Sequence, residues 1–339
     1  MNRKYEPDFN QLLKVLRREK PDRPVLFEYF TNGTLNEYLA GRKNPDPDDL
    51  DETIAITIEA FINAGYDYVT IPARFYRAMK FPAASKVHKA TVSQNEGVMI
   101  TDRTTFESYP WPDPELGDFD TFYRFAPLLR KGMKFISPGP GGVLENVIDL
   151  VGFERLCFLL FEDETLVRDI FDAVGSRLVR FYEIISNVET IGALIVNDDW
   201  GFKTQIMLDP GSMNSHVFPW HKKIVSAIHL NEKPAILHSC GNLETVMDYL
   251  IDELKYDAKH SWEDTICPVE KGWKRWGERI AILGGIDMDF LVRFTPEEIS
   301  HRSVEMLKLT GSKGYALGSG NSIPAFVPIE NYLAMISAI

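Results

Sequence analysis

Pro234-Ala235-Ile236-Leu237-His238-Ser239-Cys240-Gly241 is a short apolar run, bounded by a proline and a glycine, that ends in an imidazole and a thiol. Four apolar residues between breakers read as a strand buried on both faces, the kind found in parallel sheets. Side chains at i and i+2 of an extended chain project to the same side, so His238 and Cys240 leave the strand end together. Both are borderline-soft donors suited to zinc, which requires at least one more protein ligand than this stretch supplies.

Working outward, seven further runs of this type recur: Val25–Phe30, Asp67–Pro72, Lys134–Ser137, Ala193–Asn197, Tyr256–His260, Ile280–Gly284 and Gly314–Leu317. Helical periodicity, with apolar residues at i, i+3 and i+4, fills Glu164–Asn187, Pro210–Asn231, Leu243–Leu254 and Pro296–Leu309 between them. Strand and helix in alternation give a parallel sheet. Eight such units without a linker or composition break predict an α/β fold, a (β/α)8 TIM barrel forming a single domain over residues 1–339. No G-x-G-x-x-G follows an early strand, which argues against a dinucleotide-binding open sheet. Residues 77–130 are expected to be an insertion after the second strand. Val87–Ala90, Gly97–Thr101 and Thr105–Tyr109 read there as extended β segments covering one edge of the barrel mouth.

The 339 residues are 45% hydrophobic and 25% charged, with 37 basic against 49 acidic side chains and a formal net charge of -12. That balance argues against nucleic acid as a partner, which needs a basic stripe. The opening residues lack the apolar core of a signal peptide and no stretch is long and apolar enough for a membrane helix, so a cytoplasmic protein is expected. Cys157, Cys240 and Cys267 are too scattered for a disulfide framework, and Cys157 reads as a core residue.

In a barrel, chemistry sits at the C-terminal ends of the strands. The eight runs deliver there Glu28 and Tyr29; Arg74; the Pro138–Gly142 turn with Glu145 and Asn146 beyond it; Asn197, Asp198, Asp199 and Trp200; His238 and Cys240; His260 and Glu263; Asp287; and Ser319, Asn321 and Ser322. Asp198, Asp199 and Asp287 could each serve only as helix caps. As a site, His238 and Cys240 are the metal ligands, with Asp198, Glu263 or Asp287 available as oxygen donors. Asp198, Asp199, His260 and Glu263 are the candidate catalytic residues. Glu28, Tyr29, Arg74, Glu145, Asn197, Trp200, Asp287, Ser319 and Asn321 are the candidate substrate-binding residues. His216, His221 and His229 share one helix without a clean facing pattern and receive no role.

The chain resembles the uroporphyrinogen decarboxylase superfamily over nearly its whole length. The resemblance rests on Lys20-Pro-Asp-Arg-Pro-Val25, Ala64-Gly-Tyr-Asp67, Gly139-Pro-Gly-Gly142 with Phe161-Glu-Asp-Glu-Thr-Leu166, Asp198-Asp-Trp-Gly201, His238-Ser-Cys-Gly-Asn242, Leu283-Gly-Gly-Ile-Asp287, and Leu317-Gly-Ser-Gly320 with Val327-Pro-Ile-Glu-Asn331. It implies the barrel fold. True decarboxylases of this superfamily carry an arginine pair after the first strand, an aspartate after the second and a histidine in the closing L-G-H-G motif. This chain has Phe27–Asn32, Tyr68–Pro72 and Ser319 in those places.

The corrinoid-dependent methyltransferase branch is the closer likeness. There the residues matching His238 and Cys240 supply two zinc ligands, and the third is a cysteine where this chain has Ser319. The resemblance therefore implies a methyltransferase, or demethylase, that moves a methyl group between a small O- or N-methylated substrate and a separate corrinoid protein. Zinc would assist, the corrinoid would come from the partner, and a homodimer is compatible. A decarboxylase with altered substrate and a non-catalytic ligand-binding barrel are the alternatives.

Overall fold

The computed structural model describes residues 6–82, 94–95 and 97–339. Seven of the eight apolar runs form strands: β1 Tyr68–Thr70, β2 Lys134–Pro138, β3 Ile191–Asn197, β4 Ala235–His238, β5 Ala258–His260, β6 Ala281–Leu283 and β7 Tyr315–Ala316. They make one parallel sheet in sequential order β1 to β7, curled into a TIM-like barrel with helices outside. Sequential order with a helix between successive parallel strands is how a sheet winds in one direction until its edges meet.

The eighth run departs from the expected strand. Val25–Phe30 is extended, but it joins the sheet only through a bridge at Leu26 and Leu317, with Phe27 N–H donating to the Leu317 carbonyl at 2.7 Å and Leu317 N–H to Val25 at 2.8 Å. On its other side the Tyr68 hydroxyl takes the place of a strand partner. It accepts from Glu28 N–H at 2.6 Å and donates to the Glu28 carbonyl at 2.9 Å, so one side chain satisfies both backbone groups.

The helices follow local rules. Glu164–Ser186 buries Val167, Ile170, Phe171, Val174, Leu178, Phe181, Tyr182 and Ile185 along one stripe. Pro296–Thr310 starts at a Thr295–Glu298 capping box with proline in its first turn. The helix expected over Pro210–Asn231 is broken into a turn at Pro210–Ser212, a widened π turn over Met213–Val217 and a helix Phe218–His229. Pro219 has no N–H for the preceding turn, which accounts for the widening.

Among its described residues, the insertion does not form the β segments the sequence suggested. Thr105–Tyr109 lies in and just after a helix, Arg103–Ser108, because Asp102 accepts from Thr105 N–H while the Thr105 hydroxyl accepts from Asp102 N–H. That reciprocal cap overrides the β-favouring residues, and Pro110 ends the segment. Gly97–Thr101 is irregular, with Met99 and Ile100 N–H both on the Leu150 carbonyl. Val87–Ala90 lies outside the described residues. Among the described residues, no helix is long and apolar enough to cross a membrane.

Candidate metal centre

Register builds the site. Asn197 on β3 pairs with His238 on β4, and His238 with His260 on β5, so three polar side chains share one row at the strand ends. Asp199 and Cys240 follow two residues after Asn197 and His238. The Cys240 N–H donates to Asp199 Oδ1 at 2.7 Å, tying the two loops together. Gly241 turns the second loop at φ +86°, and a Cβ there would lie 2.0 Å from the Gly201 carbonyl oxygen, so only glycine fits. Among the described residues, Asp199, His238 and Cys240 form the group whose donor atoms all lie within 4.8 Å of one another.

Hydrogen bonding fixes which imidazole nitrogens carry protons. His260 Nε2 faces the Ser319 carbonyl at 3.2 Å, and a carbonyl only accepts, so the proton sits on Nε2. His260 Nδ1 then offers a lone pair to His238 Nδ1 at 2.8 Å, which must be the protonated nitrogen of that ring. His238 Nε2 is left unprotonated, 3.8 Å from Cys240 Sγ, as a metal ligand requires. Burial keeps both rings neutral: it pushes His260 down to about 3, and it holds His238 well below its ordinary value with help from the Lys259 charge. Tyr29 stacks on His238 with centroids 4.1 Å apart and holds the ring plane.

Burial, then Asp199, pushes the Cys240 thiol up to about 12. Its sulfur accepts from Ser261 Oγ and Asn321 Nδ2, both at 3.3 Å, two donors placed to stabilise a thiolate once a metal replaces the proton. Ser261 is held at φ +77°, a costly conformation for serine that aims its hydroxyl at the sulfur. The Asp199 carboxyl is pushed up by burial, against the Cys240 backbone bond that favours its ionised form. One carboxylate, one imidazole nitrogen with a free lone pair and one thiol make a donor set that fits zinc.

The other sequence candidates divide. Ser319 does not join the group: its hydroxyl is bonded to Glu28 Oε2 at 2.6 Å and its N–H to Glu28 Oε1 at 2.8 Å. Asp198, next to Asp199, points to the opposite side and is fully buried. It accepts from Leu144 and Glu145 N–H at 3.0 and 2.9 Å and from His221 Nε2 at 2.8 Å. It thus caps helix Val143–Val151 from another strand, in the space where a Gly142 side chain would be; a Cβ on Gly142 would lie 2.1 Å from Asp198 Cγ.

Glu145, on that helix, accepts from Gly142 N–H and Asn197 Nδ2, and burial with the Asp198 and Asp199 charges pushes it up to about 8. Asn197 Oδ1 is buried without a partner. Trp200 is fully buried against Phe218 and His221 and faces the helix layer. Asp287 caps helix Met288–Arg293 and also binds Asp264 N–H. Arg74 lies over the Phe75 ring and lines a separate cavity with Thr31, Thr57 and Thr70.

Glu263 is the clearest displacement from expectation. It lines a cavity with Lys259, Trp262 and Cys267, and its carboxylate does not join the donor group. Strand alternation is the reason: His260 points inward, Lys259 outward, and the loop continues on the outer side. Lys259 and His221 are the residues that the sequence reading missed. Lys259 is buried and donates to the Ser239, His260 and Ser261 carbonyls at 3.4, 3.4 and 2.6 Å, clamping the loops that carry the donors. A lysine inside an apolar strand was a visible signal; His221, on a mixed helix face, gave none.

Comparison with solved structures gives a methyltransferase from Methanosarcina mazei at TM-score 0.71 and 16% identity, covering 97% of this chain and 96% of that one. A protein assigned as a vitamin-B12 independent methionine synthase from Listeria monocytogenes follows at TM-score 0.54 and 10% identity, covering 93% and 97%. At these identities the likeness concerns the fold. No curated protein sequence matches. The uroporphyrinogen decarboxylase (URO-D) family profile matches residues 8–339, and the chain belongs to that family.

Proposed function

We propose that this protein is a methyltransferase that moves a methyl group between a small O- or N-methylated substrate in the barrel mouth and a separate corrinoid protein. Residues 1–339 act as one domain, and zinc is held by Asp199, His238 and Cys240. The convergence of those three donors, with His238 Nε2 free of a proton, is the observation that carries the reading. A bound zinc ion supplies Lewis-acid polarisation of the substrate heteroatom, which turns an ether or amine into a usable leaving group.

The remaining roles fall to the chain's own side chains. His260 orients His238 and is not a proton donor to substrate, since both of its nitrogens are engaged. Glu145, whose carboxyl burial pushes up to about 8, serves as the acid that protonates the departing heteroatom as the bond to the methyl carbon breaks. Asn197 holds Glu145 and Tyr29 walls the pocket. The URO-D membership and the M. mazei methyltransferase likeness support the same reading.

Metal-loaded protein given methoxylated and methylated-amine donors with a reduced corrinoid protein is expected to methylate the cobalt, and Asp199→Ala to abolish it. Absence of transfer from every donor class, with porphyrinogen decarboxylation instead, would overturn the reading.

A further inference from the structure

Ser319 stands where the methyltransferase branch has a sulfur ligand, and the structure gives its hydroxyl another task. That hydroxyl has one proton, yet it lies within hydrogen-bonding range of two oxygens, Glu28 Oε2 and the Asn321 carbonyl. If Glu28 were ionised, Ser319 could serve only one of them, and its lone pair would face the other oxygen at close contact. If Glu28 carries a proton, every group is satisfied: Glu28 donates to Ser319, and Ser319 donates to Asn321.

The surroundings agree. Glu28 is fully buried, and among the described residues no cation pairs with it. The titratable groups around it are the hydroxyls of Tyr66, Tyr68 and Tyr332 and, across Ser319, the imidazole of His260; burial holds all four neutral. Burial raises Glu28 itself to about 8, against the two Ser319 hydrogen bonds. The chain of bonds does not stop at Asn321, whose Nδ2 donates to Cys240 Sγ.

We propose that Glu28 is a neutral positioning residue that, through Ser319, anchors the Asn321 loop so that the Asn321 amide is held against the Cys240 sulfur. The residue that costs the site a second sulfur thereby orders the sulfur that remains. The functional weight of this arrangement rests on Cys240 serving as a metal ligand. The test needs neither metal nor methyl transfer, so it can fail while that reading stands, and the reverse.

Two readouts are taken on the full chain with Cys157 and Cys267 replaced by alanine. First, the infrared difference between this protein and its Glu28→Gln variant at pH 7 is expected to contain the carbonyl band of a protonated carboxyl; bands from Glu145 are common to both and cancel. Second, alkylation of Cys240 by iodoacetamide is expected to be unchanged in Glu28→Gln, whose amide can still donate to Ser319. In Ser319→Ala and Glu28→Leu it should be up to about fivefold slower, the scale of one lost hydrogen bond to the reacting thiolate. A carboxylate band in place of the protonated one would overturn the proposal. So would alkylation rates that ignore Ser319→Ala; and if Glu28→Leu fails to fold, the infrared band and Ser319→Ala still decide.

Discussion

The β3–β4–β5 side of the barrel and the seam between β1 and the Val25–Phe30 segment satisfy backbone groups in opposite ways. On the first side a full parallel ladder fixes the register, and Asn197, His238 and His260 fall into one row because backbone bonds put them there. At the seam the Tyr68 hydroxyl stands in for a strand edge, and the buried Glu28 that it brackets is tied across to Ser319. Donors on the laddered side are held by the sheet, whereas the opposite wall depends on a few side chains that each do several jobs.

The largest effect expected is at the seam. Glu28 has a folded pKa of about 8 against an ordinary 4.5, so its contribution to stability is complete below about pH 4.5 and is lost as pH rises through 8. The full loss is at most about 5 kcal/mol at 1.36 kcal/mol per unit. Glu28→Gln should remove that slope. Urea unfolding of both proteins at pH 5 and pH 9 checks it; parallel pH dependences would show that Glu28 is already ionised in the fold.

A comparable blow to the laddered side is His221→Ala, which strips a fully buried partner from Asp198. A cost of about 4 kcal/mol is expected, since a buried carboxylate is left with one partner fewer. Thermal unfolding reads this directly, and a loss under about 1 kcal/mol would mean that the capped helix alone satisfies Asp198. Smaller again is Tyr68→Phe, which leaves Glu28 N–H without a partner while Thr70 Oγ1 still reaches the Glu28 carbonyl at 3.3 Å. About 2 kcal/mol is expected, and hydrogen exchange at the Glu28 amide should rise with it.

Much of this was legible in the sequence, for physical reasons that differ by element. Buried parallel strands announce themselves as unbroken apolar runs, and seven of eight did so with bounds close to those observed. Val25–Phe30 has the same composition, but whether it joins a ladder depends on Tyr68, a partner 40 residues away. Thr105–Tyr109 misled because a reciprocal cap at Asp102 outweighs β propensity, and a cap acts through a single residue pair.

His238 and Cys240 were visible as a pair because i and i+2 on a strand are a local relation. Asp199 as their companion was not foreseen: Asp198, Glu263 or Asp287 were the oxygen donors expected, and Asp199 takes the place instead. That choice is made by the register of β3 against β4 and by the outward turn of the chain after His260, which no local pattern encodes. Asp198 was expected as a catalytic or metal-binding carboxylate, with capping of the following helix as the alternative; it caps instead a helix from an earlier part of the chain, through a glycine that leaves the room.

On the laddered side, Asp199, His238 and Cys240 are proposed to hold one metal ion. Elemental analysis of protein purified without chelators, beside Asp199→Ala, His238→Ala, Cys240→Ala and Glu263→Ala, tests it most directly. Near-stoichiometric zinc is expected in the wild type and in Glu263→Ala, and its loss in the other three. A wild type that stays metal-free after incubation with zinc, or an Asp199→Ala protein that keeps its zinc while Glu263→Ala loses it, would contradict it.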